Sequence, residues 1–174
     1  MLELSAKSMS ANKDGKIKVL VLDDEADFLE LCQEFLGRDD GLDAVFVSSP
    51  AKALDLLAAD DYQVVVSDHN LPGMDGLQFM HAMRSLKRIP FILITGHGRE
   101  GLAIDALSNG ADFYMEKAGN PKGMFEQLLR AIKAVCSSMR NVAECLPDPF
   151  QVFSPGGTLL ISNGGERVLA AASR

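Results

Sequence analysis

Cysteine is scarce in this sequence, and so are long hydrophobic runs. Cys32, Cys136 and Cys145 are too few and too scattered for a disulfide scaffold, and none has the spacing of a Cys/His metal site. The longest apolar runs have the length of strands, far short of the roughly 20 residues that a membrane-spanning helix needs. The N-terminus lacks the apolar segment of a signal peptide. We therefore expect a cytoplasmic protein with no membrane partner, whose residues 1–15 form a flexible leader.

Blocks of positive charge are absent as well. Lysine and arginine total 17 against 24 aspartates and glutamates, which gives a formal net charge of −7. This balance argues against nucleic acid as a partner. Because 47% of the residues are hydrophobic, the chain has enough apolar surface for a folded core. Its 174 residues allow one full domain and a remnant of another.

Five β-rich runs alternate with helical patterns, which is typical of an α/β fold. The central runs are apolar on both faces, as the strands of a parallel sheet covered by helices must be. We therefore expect a doubly wound, five-stranded parallel sheet with the flavodoxin-like strand order 2-1-3-4-5. A long C-terminal helix is predicted to begin at Pro121 and to end near Leu146. The predicted strands span residues 17–23, 42–47, 63–68, 90–96 and 112–117.

Polar residues stand at the predicted carboxyl ends of four of these strands. Asp23 and Asp24 end the first strand, Asp68 the third, Thr95 the fourth and Lys117 the fifth. Ligands of open parallel sheets bind at this edge, where the strand order reverses between the first and third strands. Three carboxylates there repel one another and favour a hard divalent cation such as Mg²⁺. Asp68 is then placed to attack phosphorus, while Lys117 and Thr95 bind phosphoryl oxygens.

Each of these residues alone has an ordinary structural explanation. Asp24 suits the N-terminus of the first helix, and Asp68 suits a turn. Thr95 is a common strand residue, and Lys117 is a common solvated cation. Their convergence on one sheet edge favours the functional interpretation.

The chain resembles a receiver domain of a two-component response regulator over residues 16–135. The joint order and spacing of four motifs carry the resemblance: DDE at 23–25, SDHNLPGMDG at 67–76, ITG at 94–96 and ADFYMEK at 111–117. The resemblance implies that Asp68 is the phosphoacceptor. It also implies that Asp24 binds Mg²⁺ directly, that Asp23 binds it through water, and that the backbone carbonyl of Asn70 completes the protein ligands.

The resemblance further implies a switch and a function. Thr95 and Tyr114 match a pair in which the hydroxyl moves toward the phosphoryl group and the aromatic ring turns inward. A histidine kinase, a phosphotransfer protein or a small phosphodonor would phosphorylate Asp68, and this would switch a protein-interaction surface. The expected class is a signalling domain and not an enzyme, apart from a capacity to catalyse its own phosphorylation and dephosphorylation.

The sequence changes character after the proposed receiver. Residues 136–146 are predicted to form a linker helix, and residues 147–174 resemble the first hairpin and helix of a PAS sensory domain. Sensory or kinase domains further along the parent chain would then be partners of the receiver. A heptad stripe in the long helix predicts a weak homodimer. Its positions are Phe125, Leu129, Ile132, Cys136, Met139, Ala143 and Leu146.

Two other functions stay open. The chain departs from the receiver pattern at Ala118, where the family usually has proline, and a misplaced Lys117 would favour a pseudo-receiver that works without phosphorylation. A haloacid-dehalogenase-like phosphohydrolase also uses Asp, Thr or Ser, Lys and an acidic pair around Mg²⁺. Its nucleophile, however, ends the first strand in a D-x-D arrangement, whereas here Asp23 and Asp24 are adjacent.

Overall fold

A computed structural model describes residues 15–96, 100–145, 151–153 and 159–162, with side chains for 15–96 and 101–137. The elements, in chain order, are β1 (Ile17–Leu22), α1 (Ala26–Leu36), β2 (Leu42–Val47), α2 (Pro50–Ala59), β3 (Val64–Asp68), β4 (Asn70–Leu71), β5 (Met74–Asp75), α3 (Gly76–Leu86), β6 (Phe91–Thr95), α4 (Glu100–Ser108), β7 (Phe113–Glu116), α5 (Pro121–Cys145), β8 (Gln151–Phe153) and β9 (Leu159–Ser162).

The main sheet has five parallel strands in the order β2-β1-β3-β6-β7. This confirms the predicted order 2-1-3-4-5, because β6 and β7 are the fourth and fifth strands of this sheet. The strand β3 is buried along its whole length, as are the last four residues of β1. The apolar runs that predicted these strands therefore lie between two layers of helices, as parallel strands require.

Two apolar clusters flank the sheet. On one side α1 and α5 pack together through Phe28, Cys32 and Leu128. On the other side α2 and α3 contribute Leu57 and Phe79, together with residues of α4. All side chains named here are 8% exposed or less, so the sheet is covered on both faces. This arrangement leaves the carboxyl ends of the strands as the place where polar side chains can gather.

The long C-terminal helix is present as α5, which ends one residue before the predicted Leu146. Cys136 is only 8% exposed and belongs to the cluster formed with α1, so packing on the sheet continues at least to this residue. The later heptad positions Met139 and Ala143 lie beyond the described side chains, and Leu146 lies outside the described residues. The predicted dimer seam therefore stays a prediction.

A short antiparallel hairpin, β4 with β5, separates β3 from α3 and was not predicted. It turns through Gly73, whose φ of +85° is in the left-handed region that favours glycine. Asp75 then caps α3: its carboxylate accepts the Gln78 backbone N–H at 2.8 Å, while the Gln78 side chain accepts the Asp75 N–H at 3.0 Å. The hairpin thus fixes the chain that leaves Asp68.

Arg84, near the end of α3, reaches to the end of α4. Its guanidinium donates to the carbonyl oxygens of Asn109 and Gly110 and lies 3.7 Å from the Asp112 carboxylate. Gly110 has a φ of +96°, as expected just after a helix end. Backbone N–H groups of Asn109, Gly110 and Ala111 serve the last carbonyls of α4, and Arg84 serves the carbonyls of the turn that follows the helix.

The described strands near the C-terminus, β8 and β9, pair in antiparallel fashion with a register irregularity between Val152 and Phe153. This agrees with the hairpin expected within residues 147–174, whereas the helix expected after that hairpin lies outside the described residues. No helix in the described part of the chain combines the length and the apolar character that crossing a membrane requires. The predicted leader, apart from Gly15, also lies outside the described residues.

Candidate functional site

Four polar residues meet at the carboxyl edge of the main sheet. Asp23 follows β1, Asp68 ends β3, Thr95 ends β6 and Lys117 follows β7. They are almost completely buried: Asp23 and Thr95 are 0% exposed, Asp68 is 2% exposed, and the Lys117 side chain is 9% exposed. Parallel strands present their carboxyl ends on the same side, so residues distant in sequence come within contact distance here.

Lys117 is the centre of this group. Its Nζ lies 2.7 Å from Asp23 Oδ2, 2.8 Å from Asp68 Oδ1 and 3.3 Å from Glu25 Oε1. The Lys117 backbone N–H donates to the Thr95 carbonyl at 2.7 Å, which continues the pairing of β6 with β7. The lysine is therefore aimed at both buried carboxylates even though Ala118 follows it.

The two buried carboxylates are each fixed at one oxygen. Asp68 Oδ2 accepts the Asn70 backbone N–H at 2.5 Å, and Asp23 Oδ1 accepts the Glu25 backbone N–H at 3.0 Å. The other oxygens, Asp68 Oδ1 and Asp23 Oδ2, are buried and receive no well-aligned hydrogen bond from the described residues, so the Lys117 ammonium is their compensation. The carboxylates thus present two oxygens toward a common point.

The charges of the site perturb one another. Burial raises the pKa of Asp23 to about 6, with Asp68 adding to the rise, although the Lys117 ammonium and the Glu25 N–H oppose it. Burial alone would lower the pKa of Lys117, but Asp23 and Asp68 outweigh it and hold that pKa above the ordinary 10.5. Lys117 is therefore a cation throughout the physiological range.

Asp24 does not join the buried group. Its side chain is exposed, and among the described side chains no three acidic, histidine or cysteine groups are gathered closely enough to hold a metal ion. This differs from the expectation that Asp23, Asp24 and Asp68 share one crevice. Asp24 lies in the bend between β1 and α1, where its side chain is exposed while that of Asp23 is buried. The donor set facing Lys117 nevertheless consists of carboxylate oxygens, the ligands that suit Mg²⁺.

The residues expected to act as a switch lie on adjacent strands. Thr95 is buried at the end of β6, and Tyr114 in β7 is partly buried against the cluster on the α3 side of the sheet. Burial, and then the nearby Glu116 carboxylate, raise the pKa of Tyr114 above 10.0. Asn70 begins β4 with an exposed side chain, and its N–H is the donor to Asp68.

Two contacts of Lys117 were not predicted. Glu25 reaches its ammonium from the start of α1, and the ring of Phe28 has its centroid 4.3 Å from Nζ. The helical spacing in α1 indicates that Phe28 is buried, but it carries no signal that the ring meets a cation. Glu25 stands directly after the acidic pair, and this position was the only sequence signal for it.

Comparison with known proteins places this site in context. A family model described as the response regulator receiver domain matches residues 19–129. Among solved structures, a response regulator receiver domain protein from Clostridium thermocellum is 25% identical and has a TM-score of 0.62, covering 72% of this chain and 98% of that one. The chemotaxis response regulator CheY4 of Vibrio cholerae is 26% identical with a TM-score of 0.58, covering 67% and 98%.

The relatives in sequence are longer proteins. Protein-glutamate methylesterase/protein-glutamine glutaminase 4 of Anaeromyxobacter dehalogenans is 28% identical, and the match covers 97% of this chain and 52% of that protein. The protein of the same name numbered 2, from Burkholderia thailandensis, is 30% identical, with coverages of 91% and 43%. The response regulator protein FleR of Pseudomonas aeruginosa is 32% identical, covering 65% and 24%.

These names correct one expectation. The sequence suggested that the chain is not an enzyme, yet two relatives that match it over more than nine-tenths of its length are named as enzymes. The prediction was wrong because it read the class of the protein from phosphoacceptor-type residues alone. Such residues carry no information about the part of a longer protein that the chain does not span.

Proposed function

Because the chain belongs to the response regulator receiver domain family, we propose that Asp68 accepts a phosphoryl group and that the modified domain changes a protein-interaction surface. The donor would be a histidine kinase, a phosphotransfer protein or a small phosphodonor. Because such kinases take their phosphoryl group from cytoplasmic ATP, we also propose that this protein is cytoplasmic.

The observation that supports this proposal is the placement of Asp68. Its carboxylate ends a central strand, is oriented by the Asn70 N–H and contacts the buried Lys117 ammonium at 2.8 Å. In the proposed reaction an Asp68 oxygen forms a bond to phosphorus while the bond between phosphorus and the donor breaks, and the electron pair leaves with the donor. Lys117 is then placed to bind the oxygens of the transferred group.

The donor type at the site, carboxylate oxygen, suits a divalent cation, although the described side chains do not gather three acidic groups closely enough to hold one as they stand. Asp23, Asp24 and Asp68 would hold Mg²⁺ together with the backbone carbonyl of Asn70. Two of these carboxylates, Asp23 and Asp68, each have a buried oxygen that faces the same point. When bound, the ion offsets the negative charge that accumulates between a phosphodonor and these carboxylates. The residues of the chain orient the nucleophile and exclude water from it, since Asp68 is 2% exposed.

Thr95 and Tyr114 are proposed to report the modification. The Thr95 hydroxyl, buried at the same sheet edge as Asp68, would bind the phosphoryl group rather than attack anything. Tyr114 stands on the neighbouring strand and packs against the apolar cluster that includes Ala106 of α4, and its ring would turn inward when Thr95 shifts. The two residues would thereby link the site to the surface of α4.

The domain division stays a proposal as well. We propose a receiver at 16–135, a linker helix at 136–146 and a PAS-like segment at 147–174, with further domains of the parent chain as partners. The paired strands β8 and β9 support the last part, since a hairpin is what that resemblance implies. Relatives named protein-glutamate methylesterase/protein-glutamine glutaminase and response regulator protein FleR support the proposal that a receiver of this kind is joined to different further domains.

The alternatives make different demands on the site. A pseudo-receiver was favoured by a misplaced Lys117, but its ammonium contacts both Asp23 and Asp68. A dehalogenase-like phosphohydrolase needs its nucleophile after the first strand in a D-x-D arrangement, whereas Asp23 and Asp24 are adjacent here. Steady release of phosphate from a phosphate monoester would favour the phosphohydrolase over the receiver.

The test is the intact mass of the chain after incubation with acetyl phosphate and Mg²⁺. We expect the mass of one phosphoryl group to be added to the wild type and none to Asp68→Asn, because an amide is a far weaker nucleophile than a carboxylate. Asp55→Asn, an exposed position on α2, is the matched control and should be modified like the wild type. Modification of Asp68→Asn at the wild-type rate would refute the assignment.

A further inference from the structure

We propose that Phe28 is a positioning residue for Lys117. The face of the Phe28 ring holds the Lys117 ammonium next to Asp68, within reach of a phosphoryl group carried by Asp68. The inference rests on the proposed function, because a phosphoryl group on Asp68 is what the lysine would bind.

The geometry is that of a cation–π contact. Lys117 Nζ lies 4.3 Å from the centroid of the Phe28 ring, within the roughly 6 Å over which the negative ring face attracts a cation. The Lys117 side chain is 9% exposed, so its ammonium has lost most of its water. This attraction is strongest for a desolvated cation.

The ring differs from the other partners of the ammonium. Asp23 and Asp68 are the carboxylates proposed to serve the metal ion and the phosphoryl group, and Glu25 is 66% exposed. Phe28 has no lone pair to coordinate a metal and no proton to exchange. Its attraction is spread over a face, so the ammonium can move from a carboxylate to phosphoryl oxygens without leaving the ring.

The ring is itself held in place by two helices. Phe28 of α1 stacks on Phe125 of α5 with centroids 5.7 Å apart, and Phe125 stacks on Phe35 at 4.7 Å. Phe28 is 8% exposed, which leaves its ring little freedom to turn away. Phe35 belongs to the same stack but stands two helical turns further along α1, so it shares the packing role of Phe28 and lies away from the lysine.

This pair of residues gives a matched experiment on the full chain. We would compare Phe28→Leu, Phe28→Tyr and Phe35→Leu with the wild type. The first readout is the NMR signal of the Lys117 side-chain methylene protons next to Nζ, assigned by its loss in Lys117→Arg. The second is the rate of phosphorylation by acetyl phosphate and Mg²⁺, and melting temperatures report the loss of packing in each variant.

We expect the ring current to shift the Lys117 signal upfield in the wild type, Phe28→Tyr and Phe35→Leu, and the shift to vanish in Phe28→Leu. Phosphorylation should slow by about threefold to tenfold in Phe28→Leu, the factor that one cation–π contact represents. The rates of Phe28→Tyr and Phe35→Leu should stay near that of the wild type. Both leucine variants should lose thermal stability.

Three results would overturn the proposal: an unshifted Lys117 signal in the wild type, equal slowing in Phe28→Leu and Phe35→Leu, or slowing in Phe28→Tyr. Should Phe28→Leu fail to fold, Phe28→Tyr still decides, because a retained ring must retain both the signal and the rate. If the wild type itself is never phosphorylated, the proposed function fails and the positioning role with it. The upfield signal then identifies the contact as purely structural.

Discussion

Replacing Gly76 by alanine tests how closely the chain after Asp68 packs against the start of α3. A Cβ at position 76 would lie 2.5 Å from the Asp68 carbonyl oxygen, 2.6 Å from Leu93 Cδ1 and 3.0 Å from His69 Cα. Two of these atoms belong to the backbone at and just after the end of β3. The Gly76 N–H also donates a hydrogen bond to the His69 carbonyl oxygen there, at 2.8 Å. They cannot swing aside as the end of a flexible side chain does.

Two effects of opposite sign compete in this variant. Alanine is favoured over glycine in a helix by up to about 1 kcal/mol. Overpacking of a tight site destabilises by about 1–3 kcal/mol. The contacts with Asp68 and His69 are too short for partial relief, so we expect a net loss of about 1–2 kcal/mol. For a domain of this size that corresponds to a melting temperature lower by roughly 4–8 °C.

Urea denaturation and thermal melting of Gly76→Ala measure this loss directly. Gly101→Ala is the control, since its Cβ would meet nothing within 4 Å and it also lies in a helix, α4. We expect the control to be as stable as the wild type or slightly more stable. The phosphorylation rate should fall in Gly76→Ala alone, because the intruding methyl group displaces the backbone of Asp68. A Gly76→Ala chain as stable as the wild type would refute the reasoning.

Three further results are expected. Asp24→Ala should weaken Mg²⁺ binding by removing a carboxylate oxygen, without lowering the metal-free melting temperature; an unchanged affinity in calorimetric titration would contradict this. Burial raises the pKa of Cys32 to about 12, so iodoacetamide should leave it unmodified in the folded chain at neutral pH and alkylate it after denaturation, as peptide mass mapping would show. The Lys133 ammonium, 2.7 Å away, lowers the pKa of Asp39 below 3.8, so their pairing stabilises the fold above that pH and the contribution is lost as the pH falls through the lowered pKa. Asp39→Asn should therefore cost up to about 1 kcal/mol at neutral pH and nothing in strong acid, and an equal melting difference at both would refute the pairing.

The sheet was predictable because burial on both faces leaves a strong pattern. The run at 63–68 became β3 (Val64–Asp68) and the run at 112–117 became β7 (Phe113–Glu116), with ends that differ by one residue. The hairpin of β4 and β5 was not predictable in this way, since strands of two residues have no period. Only the adjacent Pro72 and Gly73 indicated a turn there.

The site was predictable only as far as strand ends determine it. Asp23, Asp68 and Lys117 meet because β1, β3 and β7 are parallel strands of one sheet and present their carboxyl ends at the same edge, with β6 between β3 and β7. The exposure of Asp24 and the contact of Glu25 with Lys117 depend on the path of the chain from β1 into α1. That path leads into a helix whose side chains pack against α5, so it is not determined by the local sequence alone.

The buried charges at this sheet edge serve the proposed phosphorylation but do not make the fold more stable. The attraction within a buried ion pair often fails to offset the free energy that the two charges lose when they leave water. Replacing such a pair by well-packed apolar residues therefore often stabilises a protein by about 1–4 kcal/mol. A laboratory selection for heat resistance alone would therefore favour joint replacement of Asp23, Asp68 and Lys117, whereas the loss of one of them leaves a buried charge without its partner. A stabilised version of this chain that keeps them must be screened for phosphorylation at the same time, since thermal survival gives no reason to retain the three residues together.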